Sequence, residues 1–251
     1  MKKTVIVIGV IAIVAVVGFA CFKMVGNDGP SGPNLIDNRN PQGESGEVQN
    51  GLASTILIEP VSVENKIGNI DIDNTYPIIK SFKNKDFENN INTKIAGNIA
   101  DYRAEISHVV DDETPDTKLY RYITSYDRYN WGDYLTLVIN QDYQTGGIRS
   151  NTWKDIYNIN ARTERIIYLA DIFEPTTNYE EAIINVINEN SKVEFIGGQG
   201  LKKISTYQKF YIKDGKLIIY FDPSEVASAK YGALEYEMPF TLGSDGFFKV
   251  D

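Results

Sequence analysis

Apolar residues recur along this chain with two periods, and each predicts a different element. Phe87, Ile91, Ile95, Ile99, Tyr102, Ile106 and Val109 return every three or four positions, which places them on one face of a long helix. Asn84 is its expected cap. Asp111-Asp112-Glu113 and Pro115 are its expected end, where acidic residues oppose the helix dipole and predict fraying. Period-2 alternation predicts strands over residues 55–64 and 69–73, the second ending at the turn-forming Asn74 and at Pro77. Beyond the helix, three alternating runs form an antiparallel meander. The first starts at Lys118 and carries Tyr120, Tyr122, Thr124 and Tyr126, and the others cover residues 133–141 and 147–160. Asn130-Trp131-Gly132 and Gly146-Gly147 are the expected turns. A shorter helix is expected over Tyr179–Asn190, buried through Ile183, Ile184 and Ile187, with Asn178 and Glu181 as a capping-box-like start.

The C-terminal part reads as a second set of strands. Asp214-Gly215 lies between two apolar runs, and this pair supplies the positive φ that a tight hairpin needs. Leu217, Ile219 and Phe221 alternate with Ile218 and Tyr220, so both faces of that strand are apolar and both should be covered. Pro223 ends it, Ser224 is expected to cap a short helical turn over 225–229, and Gly232 releases the chain into a strand over 233–240. The fold class expected is α+β: antiparallel sheets with one long and one shorter helix, in two packed subdomains, 54–150 and 151–251.

Two stretches resemble a known family. One is the hairpin at 210–221 with its Phe221-Asp222-Pro223 exit and Gly232 ahead of the strand ending at Pro239. The other, 157–173, runs from a strand through Asn160-Ala161-Arg162-Thr163 and Ile166-Ile167-Tyr168 to Leu169-Ala170-Asp171-Ile172-Phe173. Both are similar to the paired extracytoplasmic domains of the RsiV lysozyme-sensing anti-sigma factors, a pair that also precedes the catalytic module of PdaC peptidoglycan deacetylases. Ser224 stands where that family is expected to have a tyrosine. The resemblance implies a binding or sensing domain with lysozyme as candidate ligand, and the PdaC association implies peptidoglycan as the alternative.

Charge and the N-terminal segment bear on the compartment. Of the 25 basic residues, Lys2, Lys3 and Lys23 precede residue 24, so the remainder carries 22 basic against 34 acidic residues, a formal charge of −12. Such a body repels nucleic acid and suits a basic protein partner. Met1-Lys2-Lys3 precedes an uncharged apolar run whose expected membrane-anchor residues are Val5, Ile6, Ile8, Ile11, Ile13, Val16, Phe19 and Phe22. A cytoplasmic stub (1–3) and a transmembrane signal anchor (4–25) are therefore expected, with the body extracytoplasmic at the cell membrane. Gly18-Phe19-Ala20-Cys21 loosely resembles a lipoprotein site, so a lipid anchor at Cys21 is the alternative, and a cleaved signal peptide is another. Residues 26–53, rich in Gly, Pro, Asn and Ser, are expected to form a disordered linker. With only three residues ahead of the membrane run, no segment to grip a sigma factor is expected there.

Candidate chemistry is sparse. Cys21 is the only cysteine, which excludes an intrachain disulfide framework, and His108 is the only histidine, which excludes a histidine-based metal triad or a zinc deacetylase site. No catalytic residue, metal or cofactor is assigned. Asp71 with Asp73, and the cluster from Asp111 to Asp116, are oxygen-rich groups of the kind that bind Ca²⁺, but the ligand and glycine spacing of an EF-hand is missing and solvated helix-end and loop residues are the plainer reading. The candidate binding residues are Tyr129, Trp131 and Tyr134, which offer rigid aromatic contact area, and Gly197, Gly198 and Gly200 of a flexible loop. The functional reading is a binding module: lysozyme or another basic protein first, cell-wall glycan second, a carboxylate-based hydrolase third.

Overall fold

The structure, a computed structural model, describes residues 51–109, 120–145, 150–242 and 248–249. The expected anchor, linker residues 26–50 and the acidic cluster at 111–116 lie outside these residues. No helix among the described residues is long and apolar enough to cross a membrane.

A short helix, α1 (Leu52–Thr55), leads into β1 (Ile58–Ile67) and β2 (Ile70–Ile79). The long helix α2 (Lys85–Val109) then carries the chain across to β3 (Tyr120–Trp131), β4 (Tyr134–Thr145), β5 (Ser150–Asn160) and β6 (Arg165–Ile166). These six strands form one sheet in sequence order, antiparallel except at β2–β3. That pair is parallel because the connection between its strands is a helix long enough to return the chain to the same end. A 3₁₀ turn (Leu169–Ile172) and α3 (Tyr179–Asn190) precede a second sheet. It comprises β7 (Phe210–Lys213), β8 (Lys216–Phe221), β9 (Leu234–Leu242) and β10 (Phe248–Lys249), in the order β10-β9-β8-β7. The fold is α+β with two mainly antiparallel sheets, as the alternation predicts. The first sheet spans residues on both sides of position 150, and the change of sheet falls between β6 and β7.

Two cores sit on the outer faces of the two sheets. Ile91, Ile95, Ile99 and Ile106 of α2 pack on Tyr120, Tyr122, Leu135, Leu137, Ile139 and Ile159, all buried. Each such isoleucine contributes about 1.5–3 kcal/mol of burial. Ile183 and Ile187 of α3 pack on Leu217, Ile219, Phe221 and Met238. The alternation in β8 thus sends one side chain set to α3 and the other, Ile218 and Tyr220, toward the first sheet. α2 begins where expected, with the Phe87 N–H donating to Asn84 Oδ1 at 3.0 Å. The Lys83 and Asn84 N–H groups donate to the Glu164 carboxylate at 2.8 and 2.6 Å, a cap supplied from the β5–β6 turn.

Four expectations are corrected. β2 does not stop at Asn74 or Pro77: it runs to Ile79, and Pro77 faces Pro60 of the edge strand β1. Neither proline has an N–H to exchange, and from Thr75 onward β2 has no β3 partner, so a proline there costs no ladder bond. Ser224 does not cap a helical turn over 225–229. It has φ 70°, the Glu225 carboxylate accepts from the Asp222 N–H at 2.8 Å, and the helical turn is 3₁₀, at Ala229–Tyr231. Asn178 and Glu181 bond side chain to side chain at 2.5 Å, and Asn178 makes no side-chain bond to the helix backbone. The last residues of the expected linker are ordered: Ala53 is fully buried, its N–H donates to the Gly132 carbonyl at 3.2 Å, and Arg128 Nη2 donates to its carbonyl at 2.7 Å.

Candidate functional site

β7 crosses the face of the first sheet opposite α2, meeting β3, β4 and β5. One buried apolar cluster at this contact comprises Val138, Tyr211 and Ile218, with Tyr129 and Ile156 at its side. Beside it is a layer of lysines on tyrosine rings. Lys154 Nζ lies 5.3 Å from the Tyr211 ring centre and 5.6 Å from that of Tyr220, Lys209 Nζ 5.7 Å from Tyr220, and Lys213 Nζ 5.6 Å from Tyr129. Tyr129 stacks on Tyr211 with centroids 5.7 Å apart. Two of these lysines are paired, Lys154 with Glu235 and Lys209 with Asp222 at 2.6 Å, and nearby Lys216 pairs with Glu237 at 2.5 Å. Lys209 also donates to the Lys154 carbonyl at 2.8 Å, and Asn158 Nδ2 to the Phe210 carbonyl at 2.7 Å. Burial, with the Asp127, Glu235 and Asp214 charges adding to it, pushes the Tyr129 hydroxyl up to about 12. Burial and the Asp222 carboxylate push Tyr220 higher still. These phenols stay protonated throughout the physiological range.

Where the sheets part, an open groove of about 540 Å³ remains, lined by Ile123, Ser125, Asn140, Asp142, Thr152 and Lys154 from the first sheet and by Tyr220, Ala233 and Glu235 from the second. Its size falls within the range of about 300–1,000 Å³ usual for small-ligand clefts. Register explains the lining. Ile123, Asp142 and Thr152 are direct cross-strand partners, as are Ser125, Asn140 and Lys154, so two rows of side chains stand side by side on one face. Asn140 Nδ2 donates to Asp127 Oδ2 at 2.8 Å, and Gln144 Nε2 to Asp142 Oδ2 at 3.2 Å.

On the α2 side of the same sheet lies a buried polar chain. Gln141 Nε2 donates to Asp155 Oδ2 at 2.7 Å, Tyr122 donates to Gln141 Oε1, and Asn98 Nδ2 donates to the Tyr157 hydroxyl at 3.0 Å. Asp155 is 9% exposed, and burial holds its carboxyl above the usual carboxylate range against the opposing pull of Lys209, Asn98 and Gln141. Among the described residues no group of three His, Cys, Asp or Glu side chains is placed to hold a metal. Asp71, one of the expected pair, lies 3.7 Å from Lys66.

The six candidate binding residues fall in two places. Tyr129, Trp131 and Tyr134 lie at the β3–β4 end, half-buried toward the second sheet. Trp131 reaches the β7–β8 turn, where a Cβ on Gly215 would lie 2.5 Å from its Cη2. Gly197, Gly198 and Gly200, all with positive φ, belong to a loop against α3, pinned by Asn188, which accepts from the Leu201 N–H at 2.7 Å and donates to its carbonyl at 3.0 Å. His108 lies within α2. Sequence reasoning missed Ser125, Asn140, Asp142 and Thr152. Their signal is the polar alternate of the strands whose other alternate is tyrosine and isoleucine, a pattern that in sequence reads as a solvated face.

Comparison with solved structures gives a DUF3298-family protein from Bacteroides fragilis NCTC 9343, with a TM-score of 0.53 and 13% identity over 73% of this chain and 90% of that one. A DUF3298-family protein from Pseudomonas aeruginosa PAO1 aligns with a TM-score of 0.47 and 12% identity over 75% and 93% of the two chains. At these identities the likeness to the first is one of fold. No curated protein matches the chain. The sequence model of DUF3298, a protein family of unknown function, matches residues 170–241, from the 3₁₀ turn through α3 to β9. Residues 170–241 are therefore similar in sequence to the DUF3298 family.

Proposed function

We propose that this chain is a membrane-tethered extracytoplasmic binding domain whose candidate ligand is lysozyme, a basic protein. The observation that carries the reading is the groove between the sheets. It is open, set in a body of charge −12, and one of its lining carboxylates, Asp142, has an oxygen without a hydrogen-bond donor among the described residues. Complementary charge speeds encounter with a basic partner and fixes its orientation. The resemblance of residues 157–173 and 210–240 to the lysozyme-sensing anti-sigma factors points to the same partner. Titrating the full detergent-solubilised chain with lysozyme at two salt concentrations tests it.

A second reading, attachment to cell-wall glycan, is favoured by one observation. Tyr168 and Tyr207 are 50% and 75% exposed and meet edge to face at 5.7 Å, an aromatic surface on which a sugar ring stacks. Salt-tolerant binding to purified wall, lost on Tyr207→Ala, would support this reading, and wall binding indifferent to that change would remove it.

A further inference from the structure

We infer that the groove between the sheets receives an arginine side chain of the partner protein. This rests on the basic-partner reading above and specifies what the partner inserts. Among the described residues two donors lining the groove are already committed, Lys154 Nζ to Glu235 and Asn140 Nδ2 to Asp127. The groove also holds acceptor capacity. Asn140, its amide nitrogen spent, offers Oδ1, and Asp142 Oδ1 has no hydrogen-bond donor among the described residues although it is shielded from solvent. Ser125 and Thr152 are exposed at the rim and add hydroxyls that accept equally well.

The charge count agrees. Of the three ionised groups lining the groove, Lys154 and Glu235 neutralise each other, leaving Asp142 as the excess negative charge. A carboxylate oxygen that lacks a donor is costly, and a cation with N–H groups relieves that cost. The acceptors are spread over three adjacent strands, β3, β4 and β5, so a ligand with several donors in a fixed fork meets more of them than one with a single compact head. Guanidinium has that geometry and no acceptor of its own, whereas an ammonium is a point donor. A neutral sugar would leave the excess charge uncompensated. An acidic group would be repelled by it.

The test uses the full chain in detergent, ¹⁵N-labelled, with Nα-acetyl-arginine amide as probe and the Nα-acetyl-citrulline and Nα-acetyl-lysine amides as controls. The arginine compound should shift the amide signals of Ser125, Asn140 and Thr152. The lysine compound should do so more weakly, and the uncharged citrulline isostere should not. Asp142→Asn should raise the dissociation constant for the arginine compound about tenfold or more, the loss expected for a hydrogen bond to a charged group. Glu235→Gln, at an exposed position, should weaken it too by leaving Lys154 unmatched, and an unchanged thermal melt shows that each variant is folded. Equal binding of citrulline and arginine, or arginine shifts outside the groove, overturns the inference. Lysozyme binding that Asp142→Asn leaves untouched overturns it while the basic-partner reading stands. Arginine binding without lysozyme binding keeps the groove assignment and removes lysozyme as the partner.

Discussion

Gly215 and Trp131 touch across the two sheets: a Cβ placed on Gly215 would lie 2.5 Å from Trp131 Cη2. The glycine answers two demands at once. Its φ of 73° completes the hairpin turn after Asp214, at φ 52°, and its bare Cα admits the indole. Trp131 is accordingly a structural contact between the β3–β4 and β7–β8 turns and not an open sugar platform. Gly215→Ala is expected to destabilise the protein by about 1–3 kcal/mol, the usual cost of forcing added volume into a filled site. Chemical denaturation measures it. In a double-mutant cycle, Trp131→Leu should reduce the penalty of Gly215→Ala, and strict additivity would show that the contact carries no energy.

Glu164 holds the start of α2 from outside the helix, its carboxylate accepting from the N–H groups of Lys83 and Asn84. Charge and geometry both suit a helix N-terminus. Glu164→Ala should cost about 0.5–2 kcal/mol, the range for a lost cap. Because Glu164 has φ 50°, Glu164→Gly should cost less than Glu164→Ala, the relieved backbone strain offsetting part of the lost cap. Urea denaturation of the three proteins gives the order, and equal losses would mean that the strain is negligible.

Asp155 makes stability depend on pH in the opposite sense to a salt-bridged carboxylate. Burial raises its folded-state pKa above the unfolded value. The folded protein therefore binds more protons than the unfolded one between those two values. The contribution of Asp155 is fully present below the unfolded pKa, near 3.9, and is lost as pH rises through the folded one. Asp155→Asn removes this dependence. The stability of the variant relative to the parent should rise with pH above about 4 and level off once Asp155 is ionised in the folded state. A difference that stays flat, or grows toward acid, would contradict the assignment.

Tyr207 tests the exposed aromatic pair. It is 75% exposed, so Tyr207→Ala should change stability by no more than about 0.5 kcal/mol. A larger loss on thermal melting would mean that the edge-to-face contact with Tyr168 holds the loop before β7 in place.

These residues also show what could be read from the sequence. The α2 stripe and the Asp214-Gly215 turn were legible because they depend on local period and local φ. Pro77 inside β2 was not, because its tolerance depends on facing Pro60 of an edge strand and on lacking a partner on its other side. Trp131 read as a turn residue, since its partner Gly215 is distant in sequence. The groove was the least legible feature. Ser125, Asn140 and Asp142 look like ordinary outward residues until the second sheet comes to stand over their neighbours Lys154 and Val138.

The measurement that bears most directly on the account is a calorimetric titration of the full chain with lysozyme, at low and at physiological salt, alongside Asp142→Asn. The account predicts micromolar or tighter binding that weakens with salt yet persists at physiological ionic strength, and that the Asp142 change weakens further. No binding at either salt would contradict it.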